Sequence, residues 1–379
     1  TTRVFSNSDK FQEVIPDWAS TIGETLKSHP IKTYMIGKLF HHNWDAIVQS
    51  SAYDGMLKGW KGDGYKGRVI EYRIPKGTPP NPPKTWTYTS DLEWDAKMIE
   101  AMKVRKELWS NAVKGSEQWE RGREVFQTLS AELIGDSGDI EERNPDGVKA
   151  RVVANLIREH AESGEQFFIT YGSSRPHTPL IAPKKYFDFY NAENIPQAHW
   201  GIKPDSPSYH PSFELMQQYG HHPEVGLDDP AYRRHLKHGY AACVSFVDAQ
   251  IGRILDELEA LSLDENTIIV LWGDHGWHLG EHRIFGKHTS FEKALKSVLI
   301  MRTPGMKKPG RPTDALVQSI DIYPTLAKLS GLTPPKDING KNFLDLLNNP
   351  SLPGPEYAFS YNQSYGPPFR GKPRMYAVT

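Results

Sequence analysis

Four short apolar runs along the chain have the length and composition of buried β-strands. They are rich in β-branched and aromatic residues and lie at 31–36, 165–171, 267–272 and 297–301. Continuous apolar runs of this length are typical of strands covered on both faces, as in a parallel sheet. The last two runs lie within the segment Asn266–Gly305, and the part of the segment between them is dense in His, Glu, Arg and Lys. Few structural roles require so much charge between two core strands, so this segment is the first candidate for a functional site.

Helical periodicity is strongest between Tyr232 and Leu261. Apolar residues recur there at steps of three and four, which predicts one long amphipathic helix. The apolar stripe consists of Leu236, Tyr240, Cys243, Val247, Ile251, Ile254 and Leu258. Further helices are predicted to begin near Asp17, at Asp146–Gly147 and at Ser319. Strands that alternate with helices favour an α/β fold.

Residues 43–145 give the least regular pattern. They contain glycine-rich and polyproline-like stretches, with helical patches at 92–108 and 116–133. We interpret this part as a long insertion at the ligand-binding edge of the sheet, which either builds a binding wall or forms a surface subdomain. From Leu332 onward, proline and glycine punctuate the chain. We therefore predict a main domain over residues 1–331 and the start of a smaller subdomain over 332–379.

Lysine, histidine and aspartate residues follow the predicted strands, at or just beyond the point where each strand ends. The clusters are Lys38 with His41, His177, Asp274 with His275, and Lys287 with His288. Open α/β sheets bind ligands at the carboxyl ends of their strands, so these clusters can converge on one site. Capping and surface roles stay open for the first cluster.

These residue types together favour one kind of chemistry. An aspartate with a neutral histidine suits a metal ion, and two lysines suit an anionic group. A histidine suits proton transfer to a leaving oxygen. The combination indicates metal-assisted cleavage of a sulfate or phosphate ester.

A competing motif overlaps the Asn266–Gly305 segment. Residues 278–282 satisfy H-x-x-E-H, the inverted zinc-protease pattern, with His278 and His282 as its histidines. That chemistry needs both histidines on one face of a regular helix. Gly276 and Gly280 interrupt the segment, so the sequence disfavours such a helix and the zinc interpretation with it.

Composition narrows the classes of function. The 379 residues carry 45 Lys+Arg and 46 Asp+Glu, a formal net charge of −1, so no basic excess points to a nucleic-acid partner. No apolar run approaches the roughly 20 residues of a membrane span, so no membrane partner is expected. Cys243 is the only cysteine, which excludes an internal disulfide. Its place on the helical stripe favours a buried core thiol over a nucleophile.

Several segments, in order along almost the whole chain, resemble the type I sulfatases of the alkaline phosphatase superfamily, and most closely their iduronate-2-sulfatase-like branch. The segments are TTRVF, MIGKLFHHN, FFITYGSSRPHTPLIAP, HGYAACVSFVDAQIGRILDEL, TIIVLWGDHGWHLGEHRIFGKHTSFEKA, SVLIMRTPGM and SIDIYPTLAKLSGL. The resemblance implies a large, mostly parallel sheet between helices, followed by part of a smaller C-terminal α+β subdomain. It also implies hydrolysis of sulfate esters on a carbohydrate or polysaccharide, a Ca²⁺ ion with Mg²⁺ as the alternative, and a secreted or periplasmic enzyme.

The same resemblance implies individual roles. The catalytic set is Lys38, His41, His177 and Lys287, and the metal ligands are Asp274 and His275. Lys38 and Lys287 resemble the lysines that contact sulfate, and His177 resembles the histidine at the bridging ester oxygen. His41 resembles the histidine that helps to regenerate the family's aldehyde. Contacts with substrate are expected from His42, Glu281, His282, Arg283 and His288, although an ion-pair network is an equal alternative for the central three.

Two parts of the family pattern have no counterpart in this sequence. They are an Asp-Asp pair that completes the metal site and the Cys/Ser-x-Pro-x-Arg segment whose first residue becomes formylglycine. In the family both precede the part that matches TTRVF, so we expect the nucleophile in a segment upstream of Thr1, without which the chain should not turn over substrate. Two alternatives stay open. One is a phosphoester or phosphonate hydrolase of the same superfamily, and the other is a catalytically incomplete, sugar-binding fragment.

Overall fold

The computed structural model describes residues 20–39, 53–57, 68–70, 116–118, 120–121, 134–136, 141, 144–178, 180–200, 229–287, 289–363 and 373–378. The strands are β1 (Ile31–Gly37), β2 (Gly55–Leu57), β3 (Arg68–Ile70), β4 (Ile134–Asp136), β5 (Gln166–Gly172), β6 (Leu180–Ala182), β7 (Ile269–Trp272), β8 (His278–Leu279), β9 (Phe285–Gly286), β10 (Leu299–Arg302), β11 (Phe359–Gln363) and β12 (Pro373–Val378). The helices are α1 (Ile22–Lys27), α2 (Pro145–Ser163), α3 (Lys184–Asp188), α4 (Pro230–Ala260), α5 (Glu292–Leu295), α6 (Ile322–Leu329) and α7 (Leu344–Asn348). Short 3₁₀ turns occur at Ala192–Asn194, Asp264–Asn266, Glu281–Arg283 and Ser319–Asp321.

A parallel four-stranded sheet, in the order β3-β2-β1-β5, contains the first two predicted strands. The pairing of β1 with β5 runs without a shift from Ile31 opposite Gln166 to Gly37 opposite Gly172. The two strands therefore begin and end at the same level. Their carboxyl ends form one edge, which is where parallel sheets place ligands.

Helices α2 and α4 pack against each other and against this sheet. The buried cluster consists of Tyr34, Ile36, Val152, Val153, Leu156, Ile157 and Leu258. The apolar residues that recur at helical spacing along α2, at 148, 152, 156 and 157, are all buried. Because 3.6-residue periodicity places such positions on one stripe, the sequence identified this packing face correctly.

A second buried cluster lies on the amino-terminal half of α4. It contains Leu180, Ala182, Tyr186, Tyr232, Leu236, Ala242, Cys243, Phe246 and Phe285. Cys243 is 0% exposed, and burial raises the pKa of its thiol to about 12. This confirms the interpretation of Cys243 as a core residue, because the reactive form of a cysteine is the thiolate.

Strands β7 and β10 form an antiparallel pair, with Trp272 opposite Leu299. The prediction that these strands are buried on both faces is wrong, since Trp272 is 42% exposed and Ile300 is 59% exposed. Ile269 packs against the α2–α4 cluster, so the pair is covered on one side only. Among the described residues, no hydrogen-bonded pairing joins it to the four-stranded sheet.

The start of α2 differs in detail from the prediction. The cap is Asn144, whose Oδ1 accepts from the amide of Asp146, and Pro145 is the first helical residue. Asp146 was predicted as the cap, but its carboxylate lies elsewhere, beneath the loop that follows β5. Asp321 is the N-cap residue of α6 but makes no side-chain cap hydrogen bond to that helix. Its carboxylate instead accepts from the amide of Gln318, in the capping box of the preceding 3₁₀ turn.

Residues 332–379 contain α7 and the antiparallel pair β11–β12. The domain boundary at residue 331 stays a prediction. The helical patch at 92–108 lies outside the described residues, as does most of the 43–145 insertion. None of the described helices combines the length and apolarity that a membrane crossing requires.

Candidate functional site

The carboxyl ends of β1 and β5 bring two predicted site residues to one edge of the sheet. Lys38 follows β1 directly, and its amide donates to Gly172 O over 3.2 Å. Gly37 has a φ of +97°, and a Cβ there would lie 2.2 Å from Gly172 O, so only glycine allows this close approach. We call Lys38 together with residues 173–178, the loop that carries His177, the β1–β5 wall.

His177 occupies a half-buried position within that loop. Its Nδ1 lies 2.7 Å from Thr178 O. A carbonyl oxygen only accepts, so Nδ1 carries the proton and Nε2 is left as the titrating atom. Burial, together with the charges of Lys287, Lys38 and Arg175, lowers the pKa of His177 to about 4, although the bond to Thr178 opposes this.

The charges that act on His177 also indicate which residues lie near its ring. Lys38 and Lys287 both act on its ring, although they lie far apart in sequence. Coulomb interactions of this kind require proximity. The structure therefore brings these three predicted catalytic residues into one neighbourhood of concentrated positive charge, which suits an anionic ligand.

Asp274 and His275 begin a second surface, residues 273–287, which we call the β7 wall. His275 Nδ1 lies 2.8 Å from Gly276 O, so Nδ1 holds the proton and Nε2 presents its lone pair. That Nε2 atom lies 3.6 Å from Asp274 Oδ1. A carboxylate oxygen and an imidazole nitrogen that face each other in this way fit a shared divalent cation.

The pair does not make a complete metal site by itself. Among the described residues, no group of three or more His, Cys, Asp or Glu side chains is arranged to hold a metal. Ca²⁺ takes six to eight ligands, so these two side chains alone do not complete the coordination shell of such an ion.

Trp277 connects the two ends of the β7 wall. Its ring centroid lies 6.4 Å from that of His275, and Lys287 Nζ lies 5.6 Å from the same indole. A cation over an aromatic face is attracted by the ring quadrupole. Trp277 thus keeps Lys287 close to the predicted metal ligands, although sequence analysis assigned it no role.

The zinc-protease interpretation fails on geometry. His278 lies in β8, which pairs with β9, and His282 lies in a 3₁₀ turn, so the two are not on one helical face. His278 is 0% exposed, and its Nε2 lies 2.8 Å from Thr289 Oγ1. The side chain of His278 therefore serves the core of this loop.

The three predicted substrate contacts in this loop all make contacts within the protein. Glu281 Oε2 accepts from the amide of Leu279 over 2.7 Å. His282 stacks on Phe291 with ring centroids 4.2 Å apart, and Arg283 Cζ lies 5.3 Å from the ring of Trp200. The backbones of His282 and Arg283 have φ values of 57° and 60°, a left-handed conformation that non-glycine residues rarely adopt.

Glu281 is held in its ionised form. Burial opposes ionisation, but backbone hydrogen bonds and the charge of Lys293 outweigh it, so the pKa of Glu281 is lowered. These contacts favour the structural alternative for Glu281, while its role in substrate binding stays a prediction. The remaining predicted site residues, His41, His42 and His288, lie outside the described residues.

Sequence analysis missed a buried charged cluster behind the β1–β5 wall. Asp146, Lys149 and Arg175 are 1%, 2% and 7% exposed. One signal was available, because Asp146 and Lys149 fall beside Val148 and Val152, on the apolar side of α2. Charges on a buried stripe are rare unless they are paired.

Comparison with known proteins gives a consistent result. The Sulfatase family model matches residues 2–332. A sulfatase from Formosa agariphila is 38% identical over 179 residues, which cover 44% of this chain and 33% of that protein. Human iduronate 2-sulfatase is 30% identical over 277 residues, which cover 58% of this chain and 49% of that enzyme. The chain thus spans half or less of the length of these two relatives.

Among solved structures, a phosphonate monoester hydrolase from Silicibacter pomeroyi has a TM-score of 0.65 at 20% identity, covering 96% of this chain and 67% of that one. At this identity the likeness shows a shared α/β fold. The expected fold class is therefore confirmed. Because the family model spans most of the sequence, the chain belongs to the sulfatase family.

Proposed function

We propose that this protein hydrolyses sulfate esters on a carbohydrate, with the β1–β5 wall and the β7 wall as two sides of the sulfate pocket. The observation that supports this most directly is the neutral His177 held beside Lys38 and Lys287. An anionic group with a poor leaving oxygen needs both cations and a proton donor. The names of the relatives, among them iduronate 2-sulfatase, favour a sulfated sugar as the substrate.

The lysines act on the charge of the sulfuryl oxygens. As flexible point charges, Lys38 and Lys287 offset the negative charge that the ester brings and that grows in the transition state. Removal of one such group from an enzyme site costs about 10²–10³ in rate. Lys287 is the more useful to test because its ammonium lies over Trp277, whereas Lys38 is joined to the sheet through its own amide.

His177 is expected to deliver the proton. Before substrate binds, a pKa near 4 keeps it neutral, with the Nε2 lone pair directed away from Thr178. A bound sulfate ester places negative charge among the lysines and so raises the pKa of His177. The imidazolium then donates from Nε2 to the bridging oxygen, which makes the alcohol a better leaving group.

Asp274 and His275 would hold a divalent cation, Ca²⁺ or alternatively Mg²⁺, whose charge assists that of the lysines. The nucleophile is proposed to be a formylglycine, as membership of the sulfatase family suggests. Proteins of this kind that act on sulfated polysaccharides work outside the cytoplasm, so we propose a secreted or periplasmic location.

The test compares esters that share one leaving group. The complete gene product is assayed with 4-nitrophenyl sulfate, 4-nitrophenyl phosphate and a 4-nitrophenyl phosphonate, in Ca²⁺ and then in Mg²⁺. We expect the highest kcat/KM for the sulfate, and a loss of about 10²–10³ in Lys287→Met. Lys307→Met, an exposed change in the loop after β10, is the control and should keep full activity.

Preference for the phosphonate would replace the sulfatase proposal with the second candidate, which the fold likeness to a phosphonate monoester hydrolase favours. Binding of a sulfated monosaccharide without any hydrolysis would identify a sugar-binding protein instead. If the protein neither binds nor hydrolyses the sulfate ester, the proposal as a whole is contradicted.

A further inference from the structure

A buried ion pair lies beneath the β1–β5 wall. Lys149 Nζ donates to Asp146 Oδ1 over 2.8 Å, and their side chains are 2% and 1% exposed. Both residues are in the first turns of α2, so a rigid helix fixes where the pair sits. Two buried charges need further hydrogen bonds to offset the loss of water. Here they bond to Gly172 at the end of β5 and to Ser174 and Arg175 in the His177 loop.

Asp146 holds the loop that carries His177. Its Oδ1 accepts from the amide of Ser174 and its Oδ2 from the amide of Arg175, each over 2.9 Å. Burial opposes ionisation, but the charges of Lys149 and Arg175 and these hydrogen bonds outweigh it, so the pKa of Asp146 is lowered. The carboxylate is therefore ionised. It binds the backbone of the loop at Arg175, two residues before His177.

Arg175 fixes the other side of the same loop. Its Nε donates to Ile181 O over 3.1 Å and its NH1 donates to His177 O over 3.3 Å. The backbone on both sides of His177 is thus attached, through Arg175 and Asp146, to α2. Loss of one of these hydrogen bonds would therefore change the position of the imidazole.

Lys149 connects the loop to the end of β5, next to the residue that follows β1. Its ammonium donates to Gly172 O and to Ser174 Oγ, each over 3.0 Å. Gly172 O is also the acceptor for the amide of Lys38. A single ammonium group therefore contacts the strand end beside Lys38 and the loop that carries His177.

We propose that Lys149 and Asp146 are positioning residues of the site, which hold Lys38 and His177 at the separation that the ester requires. The proposal rests on the sulfate-ester function argued above. Neither residue contacts the reacting atoms, and both act through Gly172, Ser174 and Arg175. An apolar pair of similar volume would stabilise the fold at least as well as a buried ion pair, so stability alone does not account for these charges.

The test measures the imidazole of His177 as well as the reaction. Ring-labelled histidine in the complete gene product is titrated by NMR in wild type, Lys149→Met, Ser174→Ala and Lys149→Arg. In Lys149→Met the loop loses an anchor and His177 gains water, so its pKa should rise by more than one unit toward 6.5, the value of an unburied histidine.

Ser174→Ala removes one acceptor of Lys149 and keeps the ion pair, so it should fold and shift the pKa by a smaller amount in the same direction. Lys149→Arg retains the charge and should restore part of the wild-type value. Val153→Ala is the matched control, because Val153 is 3% exposed on the same helix but belongs to the apolar cluster. It should lower stability without moving the titration of His177.

The kinetic expectation is a fall in kcat of about 10²-fold in Lys149→Met with KM within twofold, since misplacement of about 1 Å has that effect on rate. An unchanged His177 titration in both Lys149→Met and Ser174→Ala would overturn the positioning proposal, even if the enzyme is active. Equal shifts in Val153→Ala would also overturn it, because the effect would then be one of general stability. A protein that hydrolyses no sulfate ester but shows the predicted NMR shifts would refute the proposed function and leave the attachment of the His177 loop intact.

Discussion

The two walls of the candidate site are held in different ways. In the β1–β5 wall, the His177 loop is attached to α2 by Asp146 and Lys149, both nearly inaccessible to water. In the β7 wall, the side chain of Asp274 is 59% exposed, and Lys287 is kept in place by contact with Trp277. The first wall is thus organised before any ligand binds. In the second wall, a bound metal ion would draw together its two candidate ligand atoms, Asp274 Oδ1 and His275 Nε2. Pre-organised groups lose less conformational entropy when a ligand binds. The first wall should therefore set the reaction geometry, and the second should change its arrangement when the ligand binds.

The largest expected effect is on the first wall. Asp146→Ala leaves the buried charges of Lys149 and Arg175 without their carboxylate, so the free energy of unfolding should fall by about 3–5 kcal/mol. Denaturant titration measures this. Asp248→Ala, on the exposed side of α4, is the control and should change the value by no more than about 0.5 kcal/mol. If the two variants lose equal stability, the buried cluster does not anchor this wall.

Acid should weaken the first wall through His177. Its pKa is about 4 in the folded state against 6.5 as the ordinary value, so the folded protein binds fewer protons than the unfolded chain between these pH values. Stability is therefore complete above pH 6.5 and is lost as the pH falls toward 4, by about 3 kcal/mol at most for this one group. His177→Gln should remove that component from a series of thermal denaturation curves. His199→Gln, at an exposed histidine, should leave the acid dependence as in wild type.

The two walls also differ in how far their sequences predicted them. Lys38, His177, Asp274 and Lys287 stand out because charge follows an apolar strand, and that pattern is local in sequence. The role of the Asp146–Lys149 pair does not follow from a local pattern, because it depends on the further partners of the pair. Its partners Gly172 and Ser174 lie more than 20 residues away, and only the packing of α2 against β5 brings them together. A helix-period pattern shows that positions 146 and 149 face inward but not what they meet there.

The errors have a similar cause. The run at 267–272 is as apolar as a doubly covered strand, yet β7 is covered on one side, because burial depends on neighbours that hydrophobicity does not specify. The H-x-x-E-H match was rejected correctly because glycines at 276 and 280 are local signals. A Cβ at Gly276 would lie 2.2 Å from Lys293 O, so the turn after Asp274 needs a glycine there.

A smaller effect is expected when Ca²⁺ is added or removed, and it should be confined to the second wall. If Asp274 and His275 are metal ligands, Ca²⁺ at ten times its dissociation constant raises the free energy of unfolding by about 1.4 kcal/mol, and EDTA reverses this. Asp274→Asn should abolish most of the shift in melting temperature. Asp314→Asn, at an exposed position, should preserve it. Stabilisation by Ca²⁺ that survives Asp274→Asn would place the ion elsewhere.

The smallest expected effect tests whether the walls face each other at all. Lys287→Met removes a cation that acts on His177 from the opposite wall, so the pKa of His177 should rise above about 4, while burial and the charges of Lys38 and Arg175 keep it below 6.5. Loss of the contact with Trp277 should change the free energy of unfolding by only about 0.5–1 kcal/mol, because exposed cation–π contacts are weak. NMR titration of the imidazole measures the first quantity and thermal denaturation the second. Lys307→Met, an exposed change in the loop after β10, is the control and should leave the titration unchanged. A His177 pKa that does not move in Lys287→Met would mean that the two lysines cannot share one sulfate group, because a cation too distant to affect the imidazole is also too distant to clamp the ester beside it.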